Sequence, residues 1–192
     1  MLRMSRLSND DWLALMEIAR RAIATAIFDG CLPDLPAYSD TLSEPRGAFV
    51  TLYRSGRLRG CVGQVESPGP LAEVVARSAI NAALHDPRFS PVTGEEVTTL
   101  DIELSVLSSL QPIATDAIIA GEHGLMVMRD RNKGLLLPKV AAERQWSAQR
   151  FLEETCVKAG LSRDAWREPG TQVLGFTAEV FSGARIDTIP SA

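Results

Sequence analysis

The sequence predicts an α+β fold: a mostly antiparallel sheet with covering helices, built as two similar strand-strand-helix-strand halves. Three observations predict it. Residues 47–63 (GAFVTLYRSGRLRGCVG) and 124–138 (GLMVMRDRNKGLLLP) each run apolar, turn through polar residues and run apolar again, as β-hairpins do. A helical pattern and then an alternating strand follow each hairpin, so one order recurs over about 47–107 and 124–181. The spacing from Gly47 to Leu58 also equals that from Gly124 to Leu135.

In order, Ser8 or Asn9 caps a first helix whose Asp10 and Asp11 suit the positive end of the dipole. Its apolar face is Trp12, Leu15, Ile18, Ala19, Ala22 and Ile23. Three prolines and several turn formers in residues 30–45 predict an extended surface connection. The first hairpin turns around Arg54-Ser55-Gly56 and returns through Leu58 to Val62. A helix then starts near Leu71, buries Leu71, Val74, Val75, Ser78, Ala79 and Ala82, and stops at Asp86-Pro87. The run from Leu100 to Leu107 alternates with period two, with Ile102, Leu104 and Val106 on one face and Asp101, Glu103 and Ser105 on the other. The second hairpin turns at Asp130 to Lys133, a helix runs from about Val140 or Trp146 to Ala159, and a last strand spans Val173 to Phe181.

The chain has 192 residues, 45% hydrophobic and 23% charged, an ordinary balance for a globular protein with its own core. A net charge of −4 argues against wholesale phosphate binding. Its three cysteines are widely spaced, with no CxxC pair and no histidines at metal-ligand intervals, so neither a metal nor a cofactor is expected. The N-terminal MLRMSRLSNDDW has no apolar signal core, and no run reaches the roughly 20 apolar residues of a membrane span. A reducing cytoplasm is the expected location.

The segment RLRGCVG, residues 57–63, is the candidate site. Glycine in a strand permits a bulge or a close backbone approach, and Gly60 and Gly63 flank Cys61. In the repeat register Gly60 falls opposite Leu137 and Cys61 opposite Pro138, so the second hairpin lacks both the cysteine and the glycines. If the strand continues without a bulge, Arg57, Arg59 and Cys61 share a face, and a cation beside a thiol increases its thiolate fraction. A free cysteine that packs under the hairpin is the competing reading. The only histidines are His85, which can close the first repeat's helix, and His123, at the entry to the second hairpin; any Cys/His mechanism must use one of them. Asp86-Pro-Arg-Phe89 predicts a turn with Phe89 packed back and Asp86 and Arg88 available to pair or bind. Glu103 is either solvated or a cross-strand partner of Arg57 or Arg59.

RLRGCVG, DPRFSPV, LDIELSVLS, EHGLMV and GLLLPKVAAERQW followed by FLEETCVKAGL together resemble the AMMECR domain family, whose hallmark is LRGC followed by Ile or Val and then Gly. The resemblance covers nearly the whole chain. It implies a single domain over residues 1–192 with large and small lobes, a cleft lined by Leu58 to Cys61 and Gly63, and cytoplasmic residence in a prokaryote. It also implies kinship with the A component of the AmmeMemoRadiSam group, whose partners are a Memo-like protein and a radical SAM protein. The family carries no established activity. Val62 stands where Ile is common, and Lys139 stands where Gln is frequent, which adds a positive charge near the implied cleft.

Two functions follow. In the first, the site binds an anionic small molecule or an acidic partner segment through Arg57, Arg59, Gly60, Gly63, Glu103, His123 and Lys139, as part of a modification system. In the second, Cys61 is the nucleophile of an enzyme and His85 its base. Nucleic-acid binding by the basic hairpin tips is a third reading, against which charged tips ordinarily serve as solvated edges.

Overall fold

The computed structural model describes residues 6–31, 34, 35 and 37–183, so Leu32, Pro33 and Pro36 of the proline-rich connection lie outside the described residues. The chain forms two compact units: the first runs to Leu107 and resumes at Glu179, and the second spans Ser108–Ala178.

In the first unit, helix α1 (Asn9–Phe28) begins at Ser8, which forms a capping box with Asp11 and satisfies two backbone donors that a helix start otherwise leaves open. The whole predicted apolar face is buried, and Trp12 stacks on Phe181 with ring centroids 5.4 Å apart. A one-turn helix α2 (Asp40–Ser43) interrupts the connection, and its Ser39 hydroxyl donates to Asp11 Oδ1 at 2.6 Å. Strands β1 (Ala48–Arg54) and β2 (Arg57–Gln64) form the hairpin. Its turn is only Ser55-Gly56, both with positive φ, which matches the strand twist. Helix α3 (Leu71–Leu84) stops at its cap residue His85, ahead of Pro87. A short α4 (Gly94–Val97) leads into β3 (Leu100–Leu107), and the strand order is β2-β1-β3 with antiparallel pairing. Ala48, Val50 and Leu52 of β1 and Ile102, Leu104 and Val106 of β3 enter one core with α1 and α3.

In the second unit, β4 (Gln111–Pro112) and a 3-10 turn at Thr115–Ala117 precede the hairpin of β5 (His123–Arg129) and β6 (Asn132–Leu136). Of the two predicted helix starts, Trp146 fits α6 (Ala148–Lys158), and the stretch around Val140 forms a separate α5 (Pro138–Glu143). Gln145 takes φ 52° between them, and the Ser147 side chain accepts from the Arg150 N–H to start α6 afresh. A 3-10 turn at Ala165–Arg167 leads into β7 (Gln172–Gly183), which pairs with β5 and β4. Leu125, Val127, Phe151, Leu152 and Cys156 form this unit's core.

Each unit thus orders strand, strand, helix, strand, with the hairpin's first strand paired on both sides. Counted from the two-residue turns, Arg54 opposite Arg57 matches Arg129 opposite Asn132. The first ladder slips between Leu52 and Tyr53, where Arg59 is the extra residue of a β-bulge. Gly60, paired with Leu52, therefore corresponds to Gly134, paired with Val127, and not to Leu137. The second hairpin does keep this glycine. A Cβ at Gly60 would collide with the Ala82 carbonyl of α3, and one at Gly134 with the backbone at Ala159, just past α6. Close helix approach requires glycine at both places.

Candidate functional site

Edge strand β2 positions Cys61, and the bulge decides what stands around it. Its extra residue breaks the period-two alignment that would have put the arginines beside the thiol. The Arg59 guanidinium instead reaches Glu96, with Nε–Oε1 at 3.0 Å and Nη2–Oε2 at 2.9 Å, and also donates to the Ser90 and Pro91 carbonyls. Arg54 donates to the same carboxylate at 2.7 Å. Glu96 is 8% exposed, and the Arg59 hydrogen bonds hold its pKa down to about 2. Arg59 is thereby committed to holding α4 on the hairpin.

The thiol has other neighbours. The Cys61 N–H donates to Asp86 Oδ2 at 2.8 Å, and its carbonyl accepts from Arg88 Nη2 at 3.2 Å. Arg88 grips Asp86 in turn, Nε to Oδ1 at 2.9 Å and Nη2 to Oδ2 at 2.6 Å. Asp86 is buried, and the Arg88 hydrogen bonds hold its carboxyl well below the usual carboxylate range. The loop after α3 thus clasps the Cys61 peptide on both its donor and its acceptor. On the side-chain face, the Thr51 hydroxyl donates to Cys61 Sγ at 3.3 Å.

Thr51 pairs with Cys61 on one side and with Glu103 on the other, so Cys61, Thr51 and Glu103 form one row across β2, β1 and β3. The row lies on the face turned away from α1 and α3, since the alternate residues Val50, Leu52, Ile102 and Leu104 supply the core. Gly63 and Phe49 occupy the next row, where the Phe49 ring fills the space a side chain on Gly63 would need. In the second unit the matching row is Leu135, Met126 and Leu174.

The predicted site residues divide between the units. Arg57, Arg59, Gly60, Cys61, Gly63, His85 and Glu103 belong to the first, and His123 and Lys139 to the second. Arg57 is exposed at the hairpin tip. His85 is exposed and closes α3 through its N–H to the Asn81 carbonyl at 2.9 Å. His123 Nδ1 accepts from the Ile119 N–H at 3.0 Å. The groups bonded to Cys61 are Thr51, Asp86 and Arg88, and neither histidine is among them.

Thr51, Asp86, Arg88 and Glu96 were not assigned to the site from sequence. Asp86 and Arg88 were read as a turn, although Asp-Pro-Arg just past a helix end is a compact hydrogen-bonding unit. Glu96 had a signal in Thr93-x-x-Glu96, whose side chains form a capping box on α4. Among the described residues no cluster of three or more His, Cys, Asp or Glu side chains is placed to hold a metal ion, and no helix is long and apolar enough to cross a membrane.

A family model described as AMMECR1 matches residues 16–181. A protein of Methanothermobacter thermautotrophicus is 41% identical over 191 residues, covering 94% of this chain and 98% of its own length. One from Methanosarcina acetivorans is 40% identical over 179 residues, covering 86% and 88%. The crystal structure of an uncharacterised protein from Pyrococcus horikoshii matches with a TM-score of 0.80 and 40% identity, over 89% of this chain and 90% of that one.

Proposed function

This chain belongs to the AMMECR1 family, and from that premise we propose that it is a binding module that takes an anionic small molecule, or an acidic segment of a partner, on the helix-free face of the β2-β1-β3 sheet. The observation that carries this reading is the row contrast: Cys61, Thr51 and Glu103 stand where the second unit has Leu135, Met126 and Leu174. The same scaffold folds with an apolar row, so the fold does not demand polar groups there.

Half-buried Glu103 supplies a carboxylate and the half-buried Phe49 ring an apolar surface, while buried Thr51 holds the Cys61 sulfur. Arg88, with its side chain 54% exposed, brings the positive charge at the strand edge, and Arg57 a second one at the tip. Arg59 leaves the ligand set because its side chain, paired with Glu96, is only 14% exposed, whereas Arg88 keeps its guanidinium in solvent while paired with Asp86. A Memo-like protein and a radical SAM protein are the partners this reading includes, and co-purification of tagged chain from its source tests them.

Native mass spectrometry of the full chain from its source is the direct test. An anionic adduct retained by the wild type and lost from Arg88→Gln is the expected result. A cationic adduct, or one that Arg88→Gln keeps, sinks the reading.

One observation favours a second reading, an enzyme with Cys61 as nucleophile: the Thr51 hydroxyl donates to the sulfur, and the Arg88 guanidinium is held at the same residue by its carbonyl. Iodoacetamide should then alkylate Cys61 at pH 7 at least tenfold faster than free cysteine, and Arg88→Gln should slow it. A rate at or below that of free cysteine removes the enzyme reading.

A further inference from the structure

The second unit has a groove of its own, of about 340 Å³, between the 3-10 turn at Thr115–Ala117, the first turns of α6 and the 3-10 turn at Ala165–Arg167. That volume lies at the small end of the range for ligand sites. Buried Ile118 and Leu152 and the half-buried indole of Trp166 give it an apolar floor. Its polar lining has both signs of charge, in exposed Asp116 and in Arg167, whose guanidinium lies 4.3 Å from the Trp166 ring centroid. Gln149 spends its amide N–H on Glu153 at 2.9 Å, which leaves the amide oxygen as an acceptor.

A separate observation marks the site as incomplete. The Trp166 Nε1–H is buried and has no hydrogen-bond partner among the described residues, a state that native proteins rarely leave unanswered by water, ion or ligand. An acceptor brought into the groove would satisfy it. Reaching it requires Arg167 or the ring to shift, and Arg167 is free to do so, since its side chain is 53% exposed and its ion pair with Asp164 is a surface one.

We propose that this groove binds a free α-amino acid with an apolar side chain. The carboxylate is the acceptor for Trp166 Nε1 and the partner of Arg167. The ammonium goes to Asp116 and the Gln149 oxygen, and the side chain lies on Ile118, Leu152 and the indole. A ligand with only one of the two charges leaves the opposite groove charge unanswered.

Isothermal titration of the full chain with L-phenylalanine, phenylacetate and phenethylamine tests this, with L-leucine as a second amino acid. The expected result is binding of both amino acids, with phenylacetate and phenethylamine at least tenfold weaker. Trp166→Phe, which keeps an aromatic ring and removes the N–H, and Asp116→Asn should each weaken L-phenylalanine at least tenfold while the circular dichroism melt stays cooperative. Phenylacetate or phenethylamine binding as well as the amino acid overturns the proposal. So does undiminished affinity in both variants, or no heat from either amino acid at millimolar concentration.

Discussion

Cys61, Thr51 and Glu103 cross the first sheet at the register where Leu135, Met126 and Leu174 cross the second, counted from the two-residue turns. Both rows sit one step from a glycine that seats a helix end, Gly60 in one unit and Gly134 in the other. What is shared is therefore the backbone solution, and what differs is chemistry. Packing explains the apolar row: Met126 is fully buried, and a row of this kind contributes roughly 1.5–3 kcal/mol for each fully buried side chain. It gives no reason for a thiol, a hydroxyl and a carboxylate in the other sheet, and the proposed ligand would supply one.

The comparison breaks most violently at its shared element. Gly60→Ala and Gly134→Ala each press a methyl into helix backbone, which no rotamer change relieves, and each should cost about 3 kcal/mol or more. Urea midpoints of the two variants check this, and an unaffected Gly134→Ala would dissolve the equivalence of the two glycines.

Acid should separate the units next. Asp86 and Glu96 are buried in the first unit with folded pKa values below their ordinary 3.8 and 4.5. A depressed folded pKa gives stability that is present above the unfolded value and lost as pH falls through the folded one. Loss therefore begins below about pH 4.5 and continues past pH 2, where Glu96 protonates. Amide exchange read by mass spectrometry should show residues 48–104 loosening at pH 3 while β5 and α6 stay protected. Equal loosening in both units would defeat this.

A smaller loss is expected from Arg59→Ala, about 1.5–3 kcal/mol by chemical denaturation, because it removes charge-assisted bonds to a carboxylate that Arg54 still partly serves. Ligand retention in native mass spectrometry should be unchanged, which distinguishes a positioning arginine from a binding one.

The least disturbing change is the most informative. Cys61→Leu installs the second unit's residue in the first unit's row and should cost about 1–3 kcal/mol as a small-to-large change at a half-buried position. It should nonetheless abolish retention of the anionic adduct, and full retention in a folded variant would show that the polar row does not bind.

Much of the fold was legible because alternation and helical spacing report burial directly. Alternation alone puts Ile102, Leu104 and Val106 on the core face, and helical spacing does the same for the stripe of α1. The bulge was not legible, since a bulge at Arg59 needs no special residue and shows only in the pairing. One inserted residue then changed the site, taking the arginine to Glu96 and leaving the Cys61 carbonyl to Arg88. The break between α5 and α6 escaped for a related reason: Gln145 takes a positive φ that its side chain does not advertise. The Asp86 contact to Cys61 spans 25 positions, and no local pattern encodes it.

The clasp has one more consequence, for the behaviour of the chain among its own copies. β2 is an edge strand, and an edge strand offers unpaired N–H and C=O groups to any extended segment that drifts by. At Cys61 both groups are already engaged by Asp86 and Arg88, so an arriving strand meets a salt-bridged pair of side chains in place of an open ladder. The loop after α3 keeps this sheet from growing.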